Sequence, residues 1–460
     1  MPFSILFFAL ILLSPAFALK PCKITVVDKA NGWPVPLVEL KTTANQTFVT
    51  DNAGVVAFDL PEFMGRETWL NVFSHGYELP ADGFGNRGLR FTPVEGGELK
   101  IEIERKQIAK RLGRLTGAGL FSESQKLGEF SDWKESGITG CDTVQTAKYK
   151  GKLYWLWGDT NLPHYQLGLF DTTAATTPDR PLASLEPPLA FQYDYFRDDE
   201  KRPRVVAKMP GDGPTWVSGF VALPDAEGNE HLVATYVKIR GSLTPYEFGL
   251  LEWNDETLQF DKVFVFWDKE KDGGSKPPEP YPDGHPLFFK DESGKKWLYF
   301  NGPSNFKCPA TYEAWKDRSQ WQKVENPRKF DSVDGDIIEV ATASVAWNEH
   351  RQRWIMILQE KFGKSSAFGE IWYLEGASPE GPWGPAVKIV THQNYTFYNV
   401  QIDTHLSPAD GAVLLFEGTY THTFSDNKIQ TPRYDYNQIL YRLDLDDPAL
   451  KKAQLTSPPK

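Results

Sequence analysis

Short runs in which apolar and polar residues alternate begin at Lys23 and continue almost to the end of the chain. Residues 23–27, 35–40, 55–60, 69–73 and 99–103 are such runs, and Asp51-Asn52-Ala53-Gly54 is a turn signal between two of them. A period of two over so few residues predicts strands with one buried face. From Leu115 the runs recur in a loose repeat of roughly 55–65 residues, and such a period marks stacked architectures. Unit one holds 143–149 and 153–157, and unit two holds 216–223, 232–239, 248–253 and 262–267. Unit three holds 285–290 and 296–301, with a weaker outer half near 312–315 and 321–324. Unit four holds 340–347, 354–359, 370–374 and 387–391; unit five holds 400–406, 412–417 and 438–443. Five four-stranded units predict an all-β fold, a five-bladed β-propeller over 115–445. A strand from 115–121 is expected to complete the fifth unit and remove a free edge. Two stacked sandwiches are the competing architecture.

The first unit, 20–104, has the strand order of a small β-sandwich domain preceding the propeller. With Thr50-Asp51-Asn52-Ala53-Gly54 and Ser74-His75-Gly76-Tyr77-Glu78 it resembles the carboxypeptidase-regulatory-like, prealbumin-type modules, which implies an accessory role. The basic stretch 105–114 reads as a solvated linker and 446–460 as a tail. Residues 1–18 read as a signal peptide, with an apolar core and Ala16-Phe17-Ala18 at the cleavage position, so a secreted or periplasmic protein is expected. Nothing later is long and apolar enough to be a transmembrane segment.

Composition narrows the picture further. Aromatics make up 14 % of the 460 residues, which excludes a disordered chain and suits surfaces on which sugar rings stack. A net charge of −11 leaves no basic surplus for nucleic acid. Cys22, Cys141 and Cys308 are too widely spaced for a zinc site.

The candidate chemistry lies in the first repeat unit. A turn centred on Lys150-Gly151 pairs Tyr149 with Lys152, and the same register sets Asp142 opposite Asp159. Directly opposed residues on antiparallel strands are near neighbours, so two carboxylates there should repel until they share a proton. The alternative is a solvated pair at a hairpin mouth. In a propeller, the start of each first strand and the end of each second strand emerge on one face near the axis. That rule brings Asp142 and Asp159 together with Trp216, Asp283, His285, Gln401, Asp403 and His405, and sets Glu417 opposite Gln401 as a supporting acid. Loops after the second strands add Asn161, His164, Arg240, Asn301 and Tyr420. Histidines such as His285 and His405 are more often satisfied core residues than channel ligands, and Asp283 also reads as a turn former.

Gly140-Cys141-Asp142-Thr143, Trp157-Gly158-Asp159-Thr160-Asn161, Gly418-Thr419-Tyr420 and Tyr434-Asp435-Tyr436-Asn437 resemble the five-bladed propeller glycoside hydrolases. The Gly-Asp-Thr element is similar to that of a group including endo-D-arabinanases. This resemblance implies a secreted glycoside hydrolase acting on a polysaccharide or oligosaccharide, with Asp142 and Asp159 as its catalytic carboxylates. A short carboxylate separation points to retention, with Asp142 as nucleophile and Asp159 as acid. No cofactor is required; a metal, if bound, would be calcium at the channel with His285 beside it. The competing functions are a non-catalytic carbohydrate-binding propeller and a polysaccharide lyase using Arg240, Arg433 or His285.

Overall fold

The computed structural model describes residues 19–241, 243–300 and 306–455, with side chains throughout except at 165–169. The expected signal segment 1–18 and the candidate Asn301 lie outside the described residues. The protein is built almost wholly of antiparallel sheets.

Two four-stranded sheets come first. One joins Cys22–Asp28, Val55–Phe58, Glu98–Arg105 and Tyr77–Glu78; the other joins Glu39–Thr42, Thr47–Val49, Thr68–Phe73 and Gly88–Phe91. Their alternating apolar residues meet in one core, with Ile24, Val26, Val56 and Ile101 from the first sheet and Leu40, Leu70 and Val72 from the second. This is the outcome that a period-two pattern dictates.

Five sheets of four or five strands follow in chain order, besides a small one of Gly140–Cys141, Thr160–Leu162 and Tyr165–Leu169. The first contains Gln145–Tyr149, Lys152–Trp157, Thr173–Pro178 and Asp194–Tyr195; the second Thr215–Pro224, Glu230–Arg240, Thr244–Asn254 and Gln259–Asp268. The third contains Pro286–Lys290, Lys296–Phe300, Phe306–Pro309 and Gln322–Lys323. The fourth has five strands, Lys329–Asp331 being added beside Ile337–Asn348, Arg353–Glu360, Ile371–Gly376 and Val387–Val390. The fifth contains Thr396–Ile402, Val413–Thr421, Asn437–Asp444 and, from far upstream, Lys110–Arg114. Each of the five sheets contributes to the wall of one cavity of about 450 Å³, through Thr146, Phe220, Leu287, Ser344 and Gln401 among others.

Four expectations need correction. The closing strand is Lys110–Arg114, paired Arg114 to Ile439 and Lys110 to Arg442, and not a segment of 115–121. Residues 105–114 are therefore no solvated linker: Arg111 and Arg114 are buried. Burying a guanidinium demands partners. Arg111 donates to the carbonyls of Pro36 (2.9 Å) and Leu37 (3.0 Å) and lies over the Tyr77 ring, while Arg114 donates to the Ala118 carbonyl (2.8 Å) and lies over Tyr434. The Arg111 bonds couple the N-terminal unit directly to the fifth sheet.

Residues 312–315 belong to a helix, Tyr312–Lys316, and not to a strand. The Thr311 hydroxyl caps it by accepting from the Ala314 amide (3.2 Å), and Trp315 anchors it in the core. Residues 446–455 are no loose tail. Pro448–Ala453 forms a 3₁₀ turn that buries Leu450 and Ala453 against the core of the fourth and fifth sheets.

Candidate functional site

The hairpin folds in the predicted register, with Tyr149 opposite Lys152 and Gln145 opposite Leu156. The same register reappears beyond it, where Cys141 faces Thr160 and Gly140 faces Asn161. Between the two ladders the Asp142 amide donates to the Asp159 carbonyl (3.3 Å), and the Gly158 amide donates to the Asp142 carbonyl (2.8 Å). Asp142 and Asp159 are therefore cross-strand neighbours.

The irregularity between the ladders centres on Thr143, a β-branched residue at φ 50°. That conformation is strained for such a side chain and must be held from outside. The Thr143 amide donates to the Thr419 hydroxyl (3.1 Å), and its own hydroxyl accepts from Asn399 (2.7 Å). Gly158 has a different reason for its identity. A Cβ there would come within 2.4 Å of Asp142 Oδ1, because the Asp142 carboxylate lies over the opposite strand at that point.

The two carboxyls differ in their donors. Asp142 Oδ2 accepts from the Tyr398 hydroxyl at 2.5 Å, and the Tyr436 hydroxyl bonds the same carboxylate. Burial raises its pKa, and these hydroxyls and that of Thr143 pull it back towards the charged form. Asp159 receives one side-chain donor, the Trp216 indole N–H at 3.0 Å. Burial and then the charge of Asp142 push Asp159 up to about 7, against the Trp216 bond. Burial thus raises both carboxyls, Asp159 to about 7, and Asp142 alone has hydroxyl donors that work against the rise. Aromatic rings flank the pair, with Tyr398 against Phe424 on one side and Trp216 against Phe170 on the other.

Of the other expected site residues, Trp216 is at the pair, and Asn161 lies half-buried on the adjoining ladder. His164 is exposed on the turn that follows. Asp283 accepts from the Ser218 hydroxyl (2.6 Å) at the head of the second and third sheets. His285 is a neutral channel residue bonded to Gln401, its pKa lowered to about 4 by burial. Arg240 is exposed and pairs with Glu270 at 3.3 Å.

Four placements correct the sequence reading. Glu417 does face Gln401 in the ladder, but its side chain is fully buried against Asp403 and away from the Asp142–Asp159 pair. Asp403 is 3 % exposed, takes a 3.1 Å bond from Gln401 and lies on the wall of the central cavity, apart from the Asp142–Asp159 pair. His405 lies at the opposite end of the channel, 3.6 Å from Asp179, which also holds Lys148 at 2.5 Å. Tyr420 is buried, stacked on Tyr395 at 4.2 Å and bonded to His75 of the N-terminal unit at 3.0 Å. Strand alternation and depth along the strand decide all four, and neither follows from a residue's being near a rim.

Tyr398, Tyr436, Thr143 and Gly158 were not singled out as site residues from the sequence. Tyr398 could have been, since it stands just before Asn399 at the head of the fifth sheet's first strand. The backbone strain at Thr143 has no sequence signal.

No family profile and no curated protein matches this chain. Solved structures do resemble it in layout. An exo-1,5-α-L-arabinanase from a bovine ruminal metagenomic library is 11 % identical over 67 % of this chain and 94 % of its own, with a TM-score of 0.37. An exo-β-1,3-galactanase from Phanerochaete chrysosporium is 10 % identical over 74 % of this chain and 65 % of its own, at 0.41. A Bacillus subtilis arabinanase is 11 % identical over 67 % and 97 %, at 0.35. Likenesses this distant carry no argument about chemistry, which rests on the side chains described above.

Proposed function

We propose that this protein is a glycoside hydrolase whose catalytic carboxylates are Asp142 and Asp159. The observation that carries the reading is the pairing itself: two aspartates on facing strands, one served by tyrosine hydroxyls that favour its charged form against burial, the other raised to about 7. A glycosidase needs such a division between a carboxylate and a carboxylic acid.

Asp159 is the acid. It is protonated near neutrality and delivers its proton to the leaving glycosidic oxygen. Asp142 is the nucleophile, because the Tyr398 and Tyr436 hydroxyls favour its charged form and orient it. Cross-strand neighbours favour the close spacing of retaining enzymes, in which Asp142 forms a glycosyl ester that water then cleaves with Asp159 acting as base. The flanking rings of Trp216 and Tyr398 suit a sugar bound across the pair.

The architecture we read for this site is a five-bladed β-propeller behind a small β-sandwich, supported by five sheets that share one cavity and by the closing strand Lys110–Arg114. The Gly158-Asp159-Thr160 element, similar to that of the endo-D-arabinanases, directs the substrate reading to arabinan-like furanosides. Residues 1–18 would carry the protein out of the cytoplasm to meet such a polymer.

Calcium at the channel would have to be held by His285, Gln401 and Asp403. Among the described residues no three His, Cys, Asp or Glu side chains converge there, so that set fits a metal poorly and no step of the reaction is routed through one.

Product stereochemistry tests the mechanism. Retention of anomeric configuration in the first turnovers of a linear arabinan is expected, and inversion would remove Asp142 as nucleophile. If Asp142→Asn and Asp159→Asn both retained full turnover, the catalytic assignment itself would fall.

A further inference from the structure

The aromatic wall on the Asp142 side continues well past the carboxylates. Tyr398, whose hydroxyl grips Asp142, meets Phe424 edge-on at 5.9 Å. Phe424 meets Phe368 at 6.3 Å, and Phe368 meets Phe362 at 5.6 Å. The outermost rings are in water: Phe362 is 71 % exposed and Phe424 64 %. Scattered exposed apolar residues mean little, but a contiguous row of rings rimmed by polar groups marks a binding surface.

Two further observations point to a ligand. Phe362 and Phe424 have φ of 58° and 63°, a left-handed backbone that bulky residues avoid and that persists where the surroundings impose it. The Phe362 turn is fixed by its amide donating to the Ala367 carbonyl (2.6 Å), and the Phe424 turn by the Ser425 amide donating to the His422 carbonyl (3.1 Å). The neighbouring lysines are also already engaged: Lys361 with Glu339 at 2.9 Å and Lys364 with Asp336 at 2.7 Å. Lys361 Nζ also lies over the Phe362 ring at 5.5 Å, so the row offers its remaining flat apolar faces with these two lysines already paired, which suits an uncharged sugar ring and not a uronate.

We infer that Phe362 and Phe424, backed by Phe368, form a binding subsite for neutral glycosyl units of a chain that runs on from Asp142. The direction of the chain rests on the glycosidase reading. Asp159 protonates the leaving oxygen, so the departing part lies on the Trp216 side and the row binds the glycone side. Several units held on that side mean cleavage within a chain, with oligosaccharides and not single sugars as first products.

Affinity electrophoresis of the Asp142→Asn protein through gels containing linear arabinan, linear galactan, inulin or pectate tests the subsite without turnover. Retardation by at least one neutral polymer is expected, with Phe362→Ala/Phe424→Ala weakening it by about tenfold, on the scale of one lost aromatic contact, and Phe424→Trp restoring it. Retention by pectate alone, no retention by any of the four, or an unchanged double variant would each overturn the subsite. Both residues are exposed, so a circular dichroism spectrum like that of the parent shows that the double variant is folded. If Asp142→Asn proved as active as the wild type while the double variant still lost retention, the catalytic reading would fall and the subsite would stand.

Discussion

Two pairs of carboxylates stand on neighbouring sheets of this molecule and face opposite fates. Asp142 and Asp159 are half-buried, served by hydroxyl and indole donors and flanked by aromatic rings. Asp403 and Glu417 are buried between the fifth and first sheets; neither Glu417 oxygen nor Asp403 Oδ2 accepts an N–H or O–H from a described residue. In both pairs burial is the first cause of the raised pKa, and a carboxylate neighbour adds to it. What separates them is the donors. At the first pair they favour the charged form of Asp142 and set its two members apart. In the interior only Gln401 donates, to Asp403 Oδ1, and the pair is left to share a proton between its remaining oxygens. Proximity of two carboxylates alone does not make a site.

The comparison is best broken by neutralising each pair in turn. Asp142→Asn and Asp159→Asn should each cut kcat by ~10³-fold or more with an unchanged fold. Glu417→Gln should keep kcat within about threefold, since it removes no group that meets the reacting atoms. Steady-state kinetics on one polysaccharide separates the two, and a Glu417→Gln loss as deep as that of Asp159→Asn would merge the pairs into one site. Gly158→Ala should follow, at about 10²-fold, because its Cβ must displace the Asp142 carboxylate from its working position.

The pH profile sharpens the contrast. With Asp159 as the acid, kcat/KM should fall about tenfold per pH unit above a pH of about 7. Tyr398→Phe should lower kcat by about tenfold by removing a donor to the Asp142 anion, while barely moving that upper limb. The smallest effect concerns stability. Asp403 and Glu417 have raised folded pKa values, so the folded state holds more protons than the unfolded one above the ordinary carboxylate range. Stability is then complete at low pH and lost as pH rises. The wild type should melt at a higher temperature at pH 5 than at pH 8, and Glu417→Gln should narrow that gap by about 2–4 °C. A gap left unchanged would show that the interior pair does not share a proton.

The sequence disclosed what local geometry controls. A two-residue turn at Lys150-Gly151, with both φ values positive, fixes the hairpin register, and from that the opposition of Asp142 and Asp159 follows. It concealed what distant segments supply. Tyr398 reaches Asp142 from 256 positions away, and no spacing rule links them. The ladder position of Glu417 opposite Gln401 follows from the sequence, but which side of the sheet meets a neighbouring sheet is set by tertiary packing, and that buries its side chain against Asp403. The charged residues of 110–114 masked a strand because hydropathy does not register carbonyls and rings waiting to receive a guanidinium.

That strand also has a consequence for biosynthesis. Lys110–Arg114 leaves the ribosome more than 300 residues before its partner Asn437–Asp444. Until then it is an unpaired edge held next to a completed N-terminal unit, and pairing this remote is intrinsically slow to form. An apolar strand in that position would invite other nascent chains to add to it. Lys110, Arg111 and Arg114 repel such partners during the wait, as charged gatekeepers do on unprotected edges. The basic residues that make the segment look like a linker are thus what lets it serve, much later, as the final strand.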